Sequence, residues 1–173
     1  MIVPDVIHVL LHQHDEMRRV CTDVRQASGT DRKGLFAKLY QLVNVHELGD
    51  LAVAHPAVRG NTANGHRTAV ACMTEGPDIA RALAELHALG VEHAAFDSKF
   101  AVLDQAIRDH TAHEERDAFP LLRRYVSIQR PHMMAGELHD VDVMGTNYTG
   151  NSDQASWRPA ARWREGTQRG RQH

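Results

Sequence analysis

The sequence predicts an all-α fold: an antiparallel four-helix bundle with a kinked third helix and a non-helical C-terminal tail. Three observations lead there. Apolar residues recur at three- and four-residue steps over long stretches, as they do on one face of a helix with 3.6 residues per turn. No segment shows the two-residue alternation of a half-buried strand. Glycines and prolines divide the helical stretches with connections short enough to make neighbours antiparallel.

Pro4, at a first-turn position, opens helix one, which is expected to run to about Ala27 and to close at Ser28-Gly29. Thr30 and Asp31 are placed to cap helix two, which is expected to reach about His55 before Pro56 ends it. Arg59 to Gly65 reads as a loop from its glycines and asparagines. Helix three follows from about His66 to Leu89, with Gly90 as its stop. Gly76-Pro77 falls inside it, and an interior proline costs about 3 kcal/mol, so a kink or short break is expected there. Helix four extends from about His93 to Ser127.

Beyond Pro131 the period fades into Gly, Asn, Ser, Asp, Gln and Arg, which divides the chain into a bundle over 1–128 and a polar tail over 129–173. Trp157 and Trp163 stand among Arg158, Arg162, Arg164, Arg169 and Arg171, a composition suited either to contact with nucleic acid or protein or to a loosely docked terminus.

The chain has 173 residues and a formal net charge of −2, so nothing global favours nucleic acid or an anionic membrane as partner. No apolar run approaches membrane-spanning length, and Asp5, His8, His12 and His14 interrupt the N-terminal segment where an export signal would need an apolar stretch. A cytoplasmic location is expected. Cys21 and Cys72 have no redox or metal spacing and read as reduced core residues. The anomaly is the histidine content, 13 residues.

Some of those histidines interrupt the apolar stripes. Helix one reads Ile7, Leu10, His14, Met17, Cys21, Val24; helix two reads Leu35, Leu39, Leu42, His46, Asp50, Val53; helix four reads Phe96, Phe100, Leu103, Ile107, His110, Glu114, Leu121. His46 and Asp50 stand four apart with Pro56 ten after the histidine, and His110, Glu114 and Pro120 repeat that spacing. Residues four apart share a helix face, so each pair offers an imidazole and a carboxylate to one point. Burying such groups without partners costs roughly 2–7 kcal/mol for a neutral group and far more for a charge. Cations meet that cost better than a purely hydrogen-bonded polar core, the alternative. Glu75 on helix three keeps step with Cys72, Ile79 and Leu86, which aims it at the core, although it also serves as a cap for a helix restarting at Pro77.

The segments "LLHQHDEMRRV", "VHELGDLAVAHPAVR" and "IRDHTAHEERDAFPLLRR" resemble the hemerythrin-like HHE cation-binding proteins over about residues 5 to 127. The resemblance implies a non-heme di-iron site inside the bundle, with iron favoured over zinc or manganese. It assigns as ligands His14, His46, Asp50, His110 and Glu114, with Glu47 as an additional ligand or supporting group and Glu75 as the one obvious donor of helix three. The chain departs from the family's pattern in having Asp50 where Glu is usual, and in lacking a histidine on helix three.

Three histidines and three or four carboxylates form a more anionic shell than the histidine-rich one of reversible oxygen carriers in that family. Oxygen donors favour the higher oxidation states of iron and suit O–O cleavage. The expectation is therefore a di-iron oxidoreductase that takes O2 or peroxide and an unidentified small-molecule substrate, entering beside the break in helix three. The alternative is O2, NO or iron binding, sensing or storage without turnover. His12 and His113 are expected at the surface, His55 as a helix C-terminal cap, and Glu115 as a supporting group.

Overall fold

The computed structural model describes residues 5–59, 63–125, 133–140 and 142. All elements among them are helical: α1 (Val6–Gln26), α2 (Gly29–Gly49), α3 (His55–Arg59), α4 (Ala63–Leu89), α5 (Phe96–His113), α6 (Phe119–Tyr125) and α7 (133–140). Two π-helical turns, Asp50–Ala54 and Glu114–Ala118, join α2 to α3 and α5 to α6. The bundle is up-down-up-down, with α1 against α2 and α5, and α4 against α5, α2 and α3.

Asp5 caps α1 by accepting the His8 N–H at 2.9 Å. Gly29, with φ +55°, turns the chain into α2, whose N-cap is Ser28; the capping role expected of Thr30 and Asp31 is not taken up, since both already lie inside the helix. Gly90, with φ +84°, ends α4, its N–H bonding to the Leu86 carbonyl at 3.0 Å as in a left-handed C-cap. The expected loop is shorter than Arg59 to Gly65, because Arg59 and Ala63 to Gly65 are helical. Helix four starts at Phe96 rather than near His93.

Pro56 does not end the second helix. His55 N–H bonds back five residues to the Asp50 carbonyl, and Phe119 N–H does the same to Glu114. Each wide turn accommodates a residue just ahead of a proline that has no N–H to give, so the helix continues past Pro56 and Pro120. The turn also advances the helical phase: beyond Glu114 the buried residues are Ala118, Phe119 and Leu122, whereas Leu121 is only partly buried.

α4 runs unbroken through Pro77, so the expected short break is absent. Gly76 is buried there against the Glu47 carboxylate, in space that a Cβ would fill. The predicted non-helical tail also needs correction, because residues 133–140 form a helix in which Met134 and Leu138 are fully buried. Pro4, the domain boundary at 128/129, the end of helix four at Ser127 and the Trp157 to Arg171 segment lie outside the described residues.

The apolar core is in two parts. One holds Met17, Val20 and Val24 with Phe36, Leu39, Leu83, Phe96, Phe100 and Leu103; the other holds Val6, Ile7 and Leu10 with Val53, Val58, Phe119, Leu122, Met134 and Leu138. Along every long helix a polar layer separates them, at His14, at His46 to Asp50, at Cys72 and at His110 to Glu114.

Candidate metal centre

Glu114 sits at the middle of that layer. Its Oε2 lies 3.2 Å from His14 Nε2 and 3.4 Å from His46 Nε2. Its Oε1 lies 3.2 Å from His55 Nε2 and 3.7 Å from His110 Nε2. Asp50 Oδ2 is 3.0 Å from His46 Nε2, and Glu47 Oε1 is 3.3 Å from His110 Nε2. Four imidazoles thus direct Nε2 at one carboxylate from α1, α2, α3 and α5.

The opposite edges of three of the rings, His14, His46 and His110, are held from outside. His14 Nδ1 pairs with Glu115 Oε1 at 2.8 Å, and Arg18 grips the same carboxylate. His46 Nδ1 faces Gln13 Oε1 at 3.0 Å. His110 Nδ1 pairs with Glu75 Oε2 at 2.9 Å, and the other Glu75 oxygen takes His113 Nδ1 at 2.8 Å. A proton held on Nδ1 leaves the Nε2 lone pair free, which is how ligand histidines are oriented.

Hydrogen bonding alone leaves the centre unsatisfied. His14 Nε2, His46 Nε2, both Asp50 oxygens, His110 Nε2 and Glu114 Oε2 are buried without a hydrogen-bond partner, their mutual contacts being near but misaligned. Each such atom costs about 1–3 kcal/mol. Ligand atoms from His46, Asp50, His110 and Glu114 lie within 4.8 Å of one another, and so do those of His55, Cys72 and Glu114. The two groups overlap at Glu114, and bound cations would satisfy the orphaned atoms.

The electrostatics agree with a site that trades protons for cations. Burial and then the neighbouring Glu114 charge push Asp50 well above the usual carboxylate range. Burial would raise Glu114 too, but the surrounding His14, His46 and His55 hold it well below that range. Burial opposes charge on His46 and His110, yet Asp50 and Glu114 bring His46 up to about 9, and Glu47 and Glu114 bring His110 up to about 10. Burial keeps His14 below its ordinary value despite Glu114 beside it.

A family model, the hemerythrin HHE cation binding domain, matches residues 5–122. The chain belongs to this family. Among solved structures, a hemerythrin HHE cation binding domain-containing protein from Mycobacterium kansasii is similar, with a TM-score of 0.72, 15% identity and coverage of 85% of this chain and 88% of that one. No curated protein matches significantly.

Within this HHE domain the structure brings together His14, His46, Asp50, His110 and Glu114, with Glu47 at the edge. Glu75 lies instead on the Nδ1 side of His110, half-exposed and turned from the Nε2 atoms. His55, expected as a cap, is buried at the centre, because the helix does not end there. In an α-helix a residue five along lies about 140° round the axis. The π turn returns it to the face of Asp50. Gln13 and His113 are the other neighbours of the centre that helical spacing missed, whereas Cys72, expected in the core, is buried there beside His55 and Glu114. The one sequence signal for His55 was its place before the proline of the repeated motif.

Proposed function

We propose that this HHE domain binds two iron ions and uses them to take up and reduce O2 or peroxide, as a non-heme di-iron oxidoreductase. The observation that carries this is the convergence of four imidazole Nε2 atoms on Glu114 beside an Asp50 with both oxygens unpartnered. Imidazole and carboxylate together suit iron, and two ferrous ions held there would supply electrons to O2 or peroxide. His46, Asp50, His110 and Glu114 would hold one ion, and His14, His55 and the shared Glu114 stand on the other side.

The chain's own residues do the remaining work. Gln13, Glu75 and Glu115 fix the ring tautomers, and the two apolar cores exclude water from above and below. Met17, Val43, Ile79 and Ile107 set an apolar wall against His46, Glu47 and His110. With Asp50 and the histidines exchanging protons for cations, ion binding releases protons to solvent.

Binding or sensing of O2 or NO without turnover is the second reading, favoured by His55, which makes the shell richer in imidazole than the sequence suggested. Metal content of anaerobically purified protein, followed by O2-electrode measurements on the diferrous form, separates the readings. Continuous O2 or peroxide consumption with a reductant supports the enzyme. An optical change that reverses when O2 is removed supports the binder. Purified protein that takes up no iron rejects both.

A further inference from the structure

Cys72 differs from the other cysteine of the chain. Cys21 packs inside an apolar core, as buried free thiols ordinarily do, whereas Cys72, equally buried, belongs to neither apolar cluster. It lies on α4, the helix that brings no histidine to the centre, and the charges acting on it are those of Glu114, Glu75, Asp50 and Asp117. Its Sγ, one ring nitrogen of His55 and one Glu114 oxygen all lie within 4.8 Å of one another. Atoms sharing one cation at about 2.0–2.3 Å are at most about 4.6 Å apart, so this trio is at ligand spacing with little adjustment. Glu114 Oε2 and His55 Nδ1 are buried and unpartnered beside it.

We infer that Cys72 supplies a thiolate ligand to the second cation, together with His55 and Glu114, and so makes the two cation positions chemically unequal. The inference rests on the two-ion reading of the site. In the binding step the S–H bond breaks, a sulfur–metal bond forms, the proton leaves to water, and no electron is transferred. One position then has only imidazole and carboxylate donors, from His46, Asp50, His110 and Glu114. The other carries a soft donor, which suits a borderline-soft divalent ion such as zinc or ferrous iron better than a hard one.

Cobalt(II) reports this directly, because a thiolate ligand adds a near-ultraviolet charge-transfer band that imidazole and carboxylate do not give. Anaerobic titration of the metal-free full-length chain should show that band growing with one of two bound equivalents, with one more proton released than in Cys72→Ser. Cys72→Ser should lose the band and bind that equivalent at least tenfold more weakly, while Cys21→Ser should keep it. Two bound equivalents without the band in the unaltered protein would overturn the thiolate and leave the two-ion reading intact. A band that persists in Cys72→Ser would do the same. Failure to bind a second equivalent would overturn both.

Discussion

His55 and Phe119 hold equivalent positions in two copies of one motif. Each bonds its N–H back five residues to the carbonyl of a central carboxylate residue, and each precedes a proline. His55 turns an imidazole toward Glu114 at 3.2 Å; Phe119 stacks on His14 with ring centroids 5.4 Å apart and planes 18° from parallel. One side of the centre thus gains a donor where the other has a phenyl wall.

Replacement of His55 should therefore remove one ion and not the other. His55→Ala is expected to keep about half of the bound metal, whereas His46→Ala or His110→Ala should lose most of it, since each strips the four-residue group at its core. Phe119→Ala should keep the metal and instead lower stability by about 3–5 kcal/mol, as a buried phenyl is lost. Metal analysis by mass spectrometry with urea unfolding checks all four.

The groups behind the rings should matter for affinity more than for folding. Glu75→Ala frees Nδ1 of both His110 and His113, and Gln13→Ala frees that of His46. Loss of such partners costs about 10–100-fold in metal affinity. Glu75→Gln, which still offers a carbonyl oxygen, should recover part of the loss. Chelator competition measures each.

The helix over 133–140 should be part of the folded core. Leu138 is fully buried beside Gly49, where a Cβ would strike it, and packs in the same cluster as Ile7, Leu10 and Leu122. Leu138→Ala is expected to cost about 2–5 kcal/mol, and unaltered stability would show that this helix adds nothing to the bundle.

The two thiols predict a loss of stability at alkaline pH. Burial, then Asp104, pushes Cys21 up to about 12 from an ordinary value of 9.0, and burial with Glu114 raises Cys72 as well. Between about pH 9 and 12 the unfolded chain has released protons that the folded chain retains, so stability falls as pH rises, by up to about 1.4 kcal/mol per pH unit per thiol. Below pH 9 this contribution is fully present. Urea midpoints of the metal-free protein from pH 8 to 11 should show the slope, and Cys21→Ala should reduce it.

The apolar stripes made the bundle legible, because Leu10, Met17, Leu39, Phe100 and Leu103 follow the simple helical period and are buried accordingly. His14, His46, Asp50, His110 and Glu114 were legible as defects in those stripes. His55 was not, since a π turn changes the period that the count assumes. Pro77 misled because propensity is local: α4 has helical neighbours on several sides, and their packing outweighs a lost hydrogen bond. The helix over 133–140 was hidden by its brevity, with only Met134, Ala135 and Leu138 buried on one face.

The polar layer between the two apolar cores has a consequence for cooperativity. One core draws on α1, α2, α4 and α5 and the other on α1, α3, α4, α6 and α7, and a disc of imidazole and carboxylate lies between them. With cations bound, that disc ties four helices at mid-height and the halves melt as one. Stripped of them, it becomes the weakest plane of the molecule, and the end of the bundle carrying residues 133–140 can open while the Phe96 and Phe100 end stays closed. A single thermal transition that splits in two on chelation would be the calorimetric signature of this seam.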